Sequence, residues 1–490
     1  MTRPSNGSDR RHGGFLKDVA QLGSGTALAQ GLMMLSMPVL SRLYDPDAFG
    51  IAAVYLSILM VLSVISGLRY ELAVLLPEEE QDAADLFRLH LVLTLGIATA
   101  SGAILWILRA RVAGWLHAPA LADYLWLVGP GVFLYGILNA LNAWNTRRKR
   151  FGMLATTRVV GSAGMVASQL AAGLGGLTSA GGLIAGGLLG RGLEDSIQGW
   201  RIARDSRAMG WRPLAWSRLL ALGRRHRKFP IYNSWAALIN TLSWQAPAFM
   251  LAFFFSPGVV GWYAVGDRVI RTPMNIIGRA LAQVFLQRGV EAHRQQRLGH
   301  LFLETLRVLG RLGLAPIIVL TFTAQDLFAL ILGQQWAEAG VYVQILGPWA
   351  FIWFISSPMA TITTITERQE QSLAFNGVIL ATRLASFVIG GLGHDPRLAL
   401  TLFTISGVLA YGWVLLWVGG AAGVPAHRTL RAMLGPHAVL GVGMMAILTA
   451  AKLLHVPPLG IAGLDGGLLL AYYAYLLRRY RQLLPGASAP

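Results

Sequence analysis

Long apolar runs separated by short polar stretches recur from one end of the chain to the other. Each run is long enough to supply the roughly 20 residues that a helix needs to cross the hydrocarbon core of a bilayer. The pattern predicts helices over 17–40, 49–68, 88–108, 120–142, 154–174, 179–200, 230–255, 259–286, 303–323, 341–365, 371–392, 398–420, 433–451 and 459–477. The expectation is an all-α integral membrane bundle of about 14 transmembrane helices, or of 12 where the last two runs do not cross. No stretch alternates polar and apolar positions with the length and regularity of a membrane barrel strand. The first run contains Gln21 and Gln30 and exceeds the apolar region of a signal peptide, so it reads as a first span.

Composition agrees with this pattern. Hydrophobic residues make up 54% of the 490 positions and charged residues 13%, whereas a soluble domain carries about 25% charged. The length would accommodate several soluble domains, but this composition fits one membrane body. The absence of Cys excludes disulfides, thiolate catalysis and Cys-ligated metals. A net charge of +18 would suggest nucleic acid in a soluble protein. Its placement points elsewhere. With the N-terminus inside, 28 of the 41 Lys and Arg fall on the inner side, counting Lys17 and Arg88 at the inner ends of their runs, 8 lie deeper within spans, and 5 outside, namely Arg42, Arg109, Arg111, Arg397 and Lys452. That asymmetry puts both termini in the cytoplasm and makes the basic excess an orientation signal, with no nucleic acid partner. The runs Arg147–Arg150 and Arg224–Lys228 lie beside span ends, where they meet anionic headgroups of membrane lipids.

The densest basic stretch, Arg201 to Lys228, divides the chain near its middle. Pro46-Asp-Ala-Phe-Gly50 opens the second run, and Pro257-Gly-Val-Val-Gly261 opens the eighth, 211 residues later. The matched positions suggest a duplication, with an N-terminal lobe over 1–210, a C-terminal lobe over 229–420 and an additional helix pair over 431–490. Six helices separate the copies, so two pseudo-symmetric six-helix lobes would share one orientation around a central cavity.

Charges at membrane depth cost roughly 2.5–3.5 kcal/mol each on insertion scales, so each needs a reason. The eighth run carries Asp267, Arg268, Arg271 and Arg279, with its three Arg within an arc of about 80° of one helix face. Several guanidiniums on one face suit a polyanion, because the planar fork binds phosphate oxygens in pairs. Alternatively Asp267 neutralises a neighbouring Arg and Arg279 snorkels to the inner surface. The sixth run offers Arg191, Glu194, Asp195 and Gln198 within an arc of about 100°. One Arg facing two acids leaves a carboxylate over, so Asp267, Glu194 and Asp195 are candidates for ion coupling by H+ or Na+, with no other cofactor. Arg383 stands alone on the eleventh run and is a further candidate cavity residue. Arg307 and Arg311 read as orientation charges.

No catalytic arrangement is present. The 10 His lack metal-ligand spacing, and the Gly-rich stretch 161–192 lacks the phosphate-loop Gly-Lys ending, so neither an enzyme nor a metal site is expected. Gly182, Gly186 and Gly190 recur every four residues, as close helix packing requires. Pro38, Pro130, Pro247, Pro273, Pro316, Pro348 and Pro358 lie within or at the edges of runs and permit bends.

The segments PVLSRLYDPDAFGIAAVYLSI at 38–58 and LRYELAVLLPEEEQDAADLF at 68–87 resemble the N-terminal signature of bacterial polysaccharide transporters. These are flippases of O-antigen and exopolysaccharide precursors within the multidrug/oligosaccharidyl-lipid/polysaccharide exporter superfamily. VGDRVIRTPMNIIGRALAQVFLQR at 265–288 and ILGPWAFIWFISSP at 345–358 are similar to the same family's eighth and tenth helices. The resemblance implies a two-lobed bundle with a cationic cavity in the bacterial inner membrane. It implies as substrate an undecaprenyl-diphosphate-linked oligosaccharide, moved to the outer leaflet by alternating access. It also implies membrane lipids and other polysaccharide assembly proteins as partners of a monomer. Flipping of the peptidoglycan lipid precursor and multidrug antiport are the alternatives within transport.

Overall fold

The computed structural model describes residues 7–208, 210–211 and 213–479, with side chains from Gly23 onward except at 208, 279, 280, 369, 372, 373, 434 and 436. Fourteen long helices organise the described residues, and no strand occurs among them. They are α1 (Gly7–Leu43), α2 (Pro46–Ser63), α3 (Glu80–Ile107), α4 (Val128–Arg147), α5 (Phe151–Leu174), α6 (Ala180–Ala208) and α7 (Ser234–Phe254). There follow α8 (Pro257–Arg294), α9 (Leu298–Ile331), α10 (Ala337–Ser356), α11 (Gln369–Leu392), α12 (Pro396–Ala421), α13 (Ala426–Leu453) and α14 (Pro458–Arg479). Each apolar run overlaps one of these helices, but the matches are not complete: α2 stops at Ser63 within the run 49–68, the run 120–142 starts as the tight turns Pro119–Asp123 and Leu125–Leu127 before α4, and α13 bends by 46° at Gly435. The run 341–365 divides where α10 ends at Ser356 and Pro358 opens a tight turn, Pro358–Thr361, followed by the short helix Ile362–Ile365.

Among the described residues, nine helices cross a membrane by length and hydropathy alone, or ten where the bent α13 counts as one span. α6 and α8 fall outside that set because both carry charges in mid-helix. Leu35, Ile107, Leu392 and Leu470 are 72–80% exposed, a surface suited to lipid. Local signals fix helix starts. Asp45 accepts a hydrogen bond from the Ala48 amide at 2.7 Å ahead of Pro46, and Asp395 caps α12 ahead of Pro396.

The chain forms two compact units, the first ending at Gly261 and the second starting at Trp262. In the first, α6 packs closely on α5 through the predicted glycines. A Cβ on Gly186 would press on Gln169, and one on Gly190 would press on the Gly161 carbonyl and Met165. The two Pro-x-x-x-Gly motifs meet directly. A Cβ on Gly50 would collide with the Pro257 carbonyl, and one on Gly261 with the Pro46 carbonyl, so the contact is reciprocal. α7 joins α2 through Ser57, which donates to Gln245 at 3.3 Å. The connector helix Trp216–Arg225 docks on the start of α3, burying Leu219 and Leu222 against Tyr70, Phe87 and Trp144. Tyr70 donates to the Gly223 carbonyl at 2.9 Å, and Arg218 lies 3.5 Å from Asp85.

In the second unit α9 packs on α10, α11 on α12, and α13 on α9. The C-terminal helix α14 is tied to α9, since Tyr472 and Tyr473 donate to the carbonyls of Arg311 and Leu312 at 2.8 and 2.9 Å. Thr323 also donates to the buried Asp465 at 2.8 Å.

Candidate functional site

A buried charge is tolerated where partners or a ligand replace its lost water. Among the described residues, two such clusters contain the charged residues singled out in the sequence, one in each unit.

The first centres on α6. Arg191 lies 3.1 Å from Glu194, one turn along the helix, and its guanidinium stands 4.3 Å from the centre of the Tyr135 ring on α4. Arg158 of α5 also acts electrostatically on Glu194 and donates to Thr26 at 2.6 Å. Gln198 is fully buried, accepting from Asn145 at 2.9 Å and donating to Thr157 at 3.1 Å. Asp195 differs from its neighbours. It is 7% exposed, and neither carboxylate oxygen has a hydrogen-bond partner among the described residues.

The second cluster joins α8, α11 and α12. On α8, Arg271 reaches back one turn to Asp267, its Nε donating to Oδ2 at 2.7 Å while Nη2 completes a two-pronged ion pair. Asp267 is 7% exposed, and Arg271, Arg383 and Arg268 all act on it electrostatically. Arg383 of α11 is 4% exposed, donates to the Tyr411 hydroxyl of α12 at 3.0 Å, and lies 5.6 Å from the Phe403 ring centre. Tyr263, buried one turn before Asp267, lies within the electrostatic reach of Asp267, Arg271 and Arg383.

The structure therefore brings together four of the residues singled out in the sequence, Asp267, Arg268, Arg271 and Arg383, and separately Arg191, Glu194 and Asp195. Arg383 is the lone charge of its run, but α11 and α12 pack side by side and bring it to Tyr411 and within electrostatic reach of Asp267. Arg279 lies on α8, but its side chain falls outside the described residues. Tyr135, Tyr263, Phe403 and Tyr411 escaped the sequence reading, being aromatic residues in apolar runs with no local sign of the Arg they meet. A cluster about the buried Glu71 and His90, with half-buried Arg69, also escaped. Glu71 lies 3.1 Å from Arg69 and 3.3 Å from His90, whose other ring nitrogen lies 3.0 Å from the Gly136 carbonyl.

No group of three or more His, Asp or Glu able to hold a metal occurs among the described residues. What both clusters offer is charge at membrane depth, suited to binding and release of ions.

Comparison with known proteins places this geometry. The lipid II flippase MurJ in an inward closed conformation matches with a TM-score of 0.74 at 11% identity, over 96% of this chain and 99% of its own. An inward-facing multidrug resistance MATE transporter of the MOP superfamily matches with 0.58 at 13% identity, over 82% and 94%. A MOP superfamily transporter from Pyrococcus furiosus, described as having a binding pocket of reverse polarity, matches with 0.54 at 12% identity, over 85% and 96%. At these identities the likeness establishes the fold. None of the curated proteins matches. The family described as polysaccharide biosynthesis protein matches residues 39–341, more than half of the chain. The chain belongs to this polysaccharide biosynthesis protein family, and its helices take the fold of MurJ and the MATE transporters.

Proposed function

We propose that the protein flips an undecaprenyl-diphosphate-linked oligosaccharide from the inner to the outer leaflet of the bacterial inner membrane. This would supply a surface polysaccharide such as O-antigen or exopolysaccharide. One observation carries the reading: Arg268, Arg271 and Arg383 gather about Asp267 within the helices of one unit. A lipid diphosphate does not cross hydrocarbon unaided, because its charge is too costly to desolvate. Guanidiniums replace the lost hydration through paired N–H donors while the prenyl chain stays in lipid. Arg268, Arg271 and Arg383 would hold the diphosphate, with Arg191 and Arg279 as further contacts. Tyr411 positions Arg383, and Asp267 keeps Arg271 extended between substrates. Transport would proceed by alternating access, the charged clusters opening to one side of the membrane and then the other, with both termini cytoplasmic.

Asp195, Glu194 and Asp267 are the proposed coupling groups, H+ or Na+ being the ion. Asp195 is the strongest of them, since its two buried oxygens have no hydrogen-bond partner among the described residues.

The test is transport of a defined prenyl-diphosphate glycan in proteoliposomes, with and without an ion gradient. The Arg268→Glu and Arg271→Glu proteins should reach the membrane and lose transport. Normal transport by both overturns the site. Depletion in cells separates the peptidoglycan alternative, which predicts lysis, from surface polysaccharide export, which predicts loss of the polymer alone. A multidrug antiporter for cationic drugs would favour carboxylates where this cluster has guanidiniums.

A further inference from the structure

Asp465 sits within α14, outside both charge clusters, and is 4% exposed. An ionised carboxylate so removed from water needs a cation or several donors. The charged groups that act on it come from the two helices packed against α14, Asp326 of α9 and Lys452 of α13. Lys452 is already engaged, lying 3.2 Å from Asp326. Two carboxylates thus share one ammonium, and Asp465 forms no ion pair among the described residues. Its Oδ1 has no hydrogen-bond partner among them either.

The surroundings of Oδ2 show where a hydrogen is missing. Thr323 Oγ1 lies 2.8 Å from Oδ2 and 2.7 Å from the Val319 carbonyl oxygen, with all three residues buried. A threonine hydroxyl has one hydrogen to give. With Asp465 ionised, both neighbours of Oγ1 are acceptors, and one of the two contacts has no hydrogen in it. A proton on Oδ2 reverses the sense of the first bond. The acid then donates to Oγ1, the hydroxyl donates to the Val319 carbonyl, and both contacts are bonds. The same proton brings Asp326, Asp465 and Lys452 to zero net charge.

The position of this bond gives the proton a consequence. Pro316 lies inside α9 and has no amide hydrogen, so the Leu312 carbonyl loses its helical donor. Tyr473 of α14 replaces that donor at 2.9 Å, and Tyr472 donates to the Arg311 carbonyl at 2.8 Å. Thr323 lies about two turns beyond the proline. Hence α14 runs antiparallel to α9 across Pro316, tied before it by the tyrosines and after it by Asp465.

We propose that Asp465 is a proton-binding site, occupied in this structure, whose proton fastens α14 as a brace across Pro316 of α9. Loss of the proton leaves a carboxylate with no cation of its own, loosens that end of the brace and lets α9 flex at the proline. The site stands apart from the flippase reading and from the coupling groups on α6 and α8.

The proton is tested by infrared difference spectroscopy of the full chain in nanodiscs, wild type minus Asp465→Asn. At mildly acidic pH, above the range where an ordinary aspartate holds a proton, the difference should contain a protonated-carboxyl C=O band. The band should fall as the pH is raised. In Thr323→Val, of similar volume, it should move to higher frequency, because the acid has lost its acceptor. An ionised-carboxylate signal alone at mildly acidic pH, or a band indifferent to Thr323→Val, overturns the site. Hydrogen exchange tests the brace. Corrected for intrinsic rates, the amides of 317–323 should exchange about fivefold faster at alkaline than at mildly acidic pH in the wild type. Asp465→Asn, whose amide donates to Thr323 as the acid does, should stay slow at both. Acceleration in both proteins alike, or in neither, overturns the brace.

Discussion

The charge clusters on α6 and on α8 with α11 are built from the same parts and lean opposite ways. Each has an Arg–carboxylate pair one helical turn apart, Arg191 with Glu194 and Arg271 with Asp267. Each sets a guanidinium near an aromatic ring, Tyr135 for Arg191 and Phe403 for Arg383. The α6 cluster then adds a second carboxylate, Asp195, whose oxygens find no hydrogen-bond partner among the described residues. The α8 and α11 cluster instead brings three guanidiniums to one carboxylate. A shared ion-pair core thus gains surplus negative charge when an acid is added and surplus positive charge when arginines are added, which is what the proposed coupling site and the proposed diphosphate site respectively require. Membrane burial amplifies the difference, since a charge there interacts strongly with whatever is present.

The largest expected effect comes from breaking the α8 pair. Arg271→Ala removes the guanidinium paired with buried Asp267, which costs about 3 kcal/mol, the low end for a broken buried pair because Arg268 and Arg383 still act on Asp267. A clear fall in melting temperature in detergent should follow, together with loss of transport. The paired change Asp267→Asn/Arg271→Gln removes both charges at similar volume and should restore most of the stability while transport stays absent. Recovery of transport in that double variant would show the pair to be structural only.

Next in size is Arg383→Gln. It removes a charged donor that holds Tyr411, and the loss of hydrogen bonds to a charged group is worth about 1.5–3 kcal/mol. Glycan transport should fall roughly tenfold to a hundredfold, at about 1.4 kcal/mol per tenfold, with the apparent affinity for the diphosphate weakened. The mirror experiment on α6 is Asp195→Asn. Because no hydrogen bond holds that carboxylate, stability should be unchanged or raised by about 1 kcal/mol. Transport should lose its dependence on the imposed ion gradient while diphosphate binding persists. A large loss of stability would instead reveal Asp195 as a packing element, and the contrast between the clusters would collapse.

Much of this arrangement was legible in the sequence, for reasons that differ by residue. The helices follow from the bilayer, which demands unbroken apolar runs, so all the long helices appear where the pattern put them. Asp267 and Arg271 are four positions apart, and Arg191 and Glu194 three, spacings at which helix geometry makes neighbours. The Gly182, Gly186 and Gly190 stripe pointed to close packing, and α6 does press on α5 there, with Gly182 against Tyr44. Arg383 and Tyr411 were opaque because 28 residues and a turn separate them, and only the pairing of α11 with α12 brings them together. Pro358 marked a bend, but nothing local distinguished a bend from the full break between α10 and Ile362–Ile365. The docking of the connector helix on α3 was equally hidden, since a basic stretch reads first as an orientation signal.

That connector supplies the smallest prediction and the control for all the others. Arg218 carries the same charge as Arg271 but is 32% exposed, with Asp85 at 3.5 Å and Asp82 at 3.8 Å. Asp85 keeps a second partner, Arg88 at 3.1 Å, so removing Arg218 strands no charge. Arg218→Ala should therefore cost only about 0–1 kcal/mol, less still in high salt, and should leave transport intact. Measured beside Arg271→Ala at two ionic strengths, it tests whether depth in the membrane, and not the mere presence of an Arg–Asp pair, sets the price of losing one. Comparable losses from both substitutions would mean that the connector is part of the transport cycle and that burial is not what separates functional from orienting arginines in this protein.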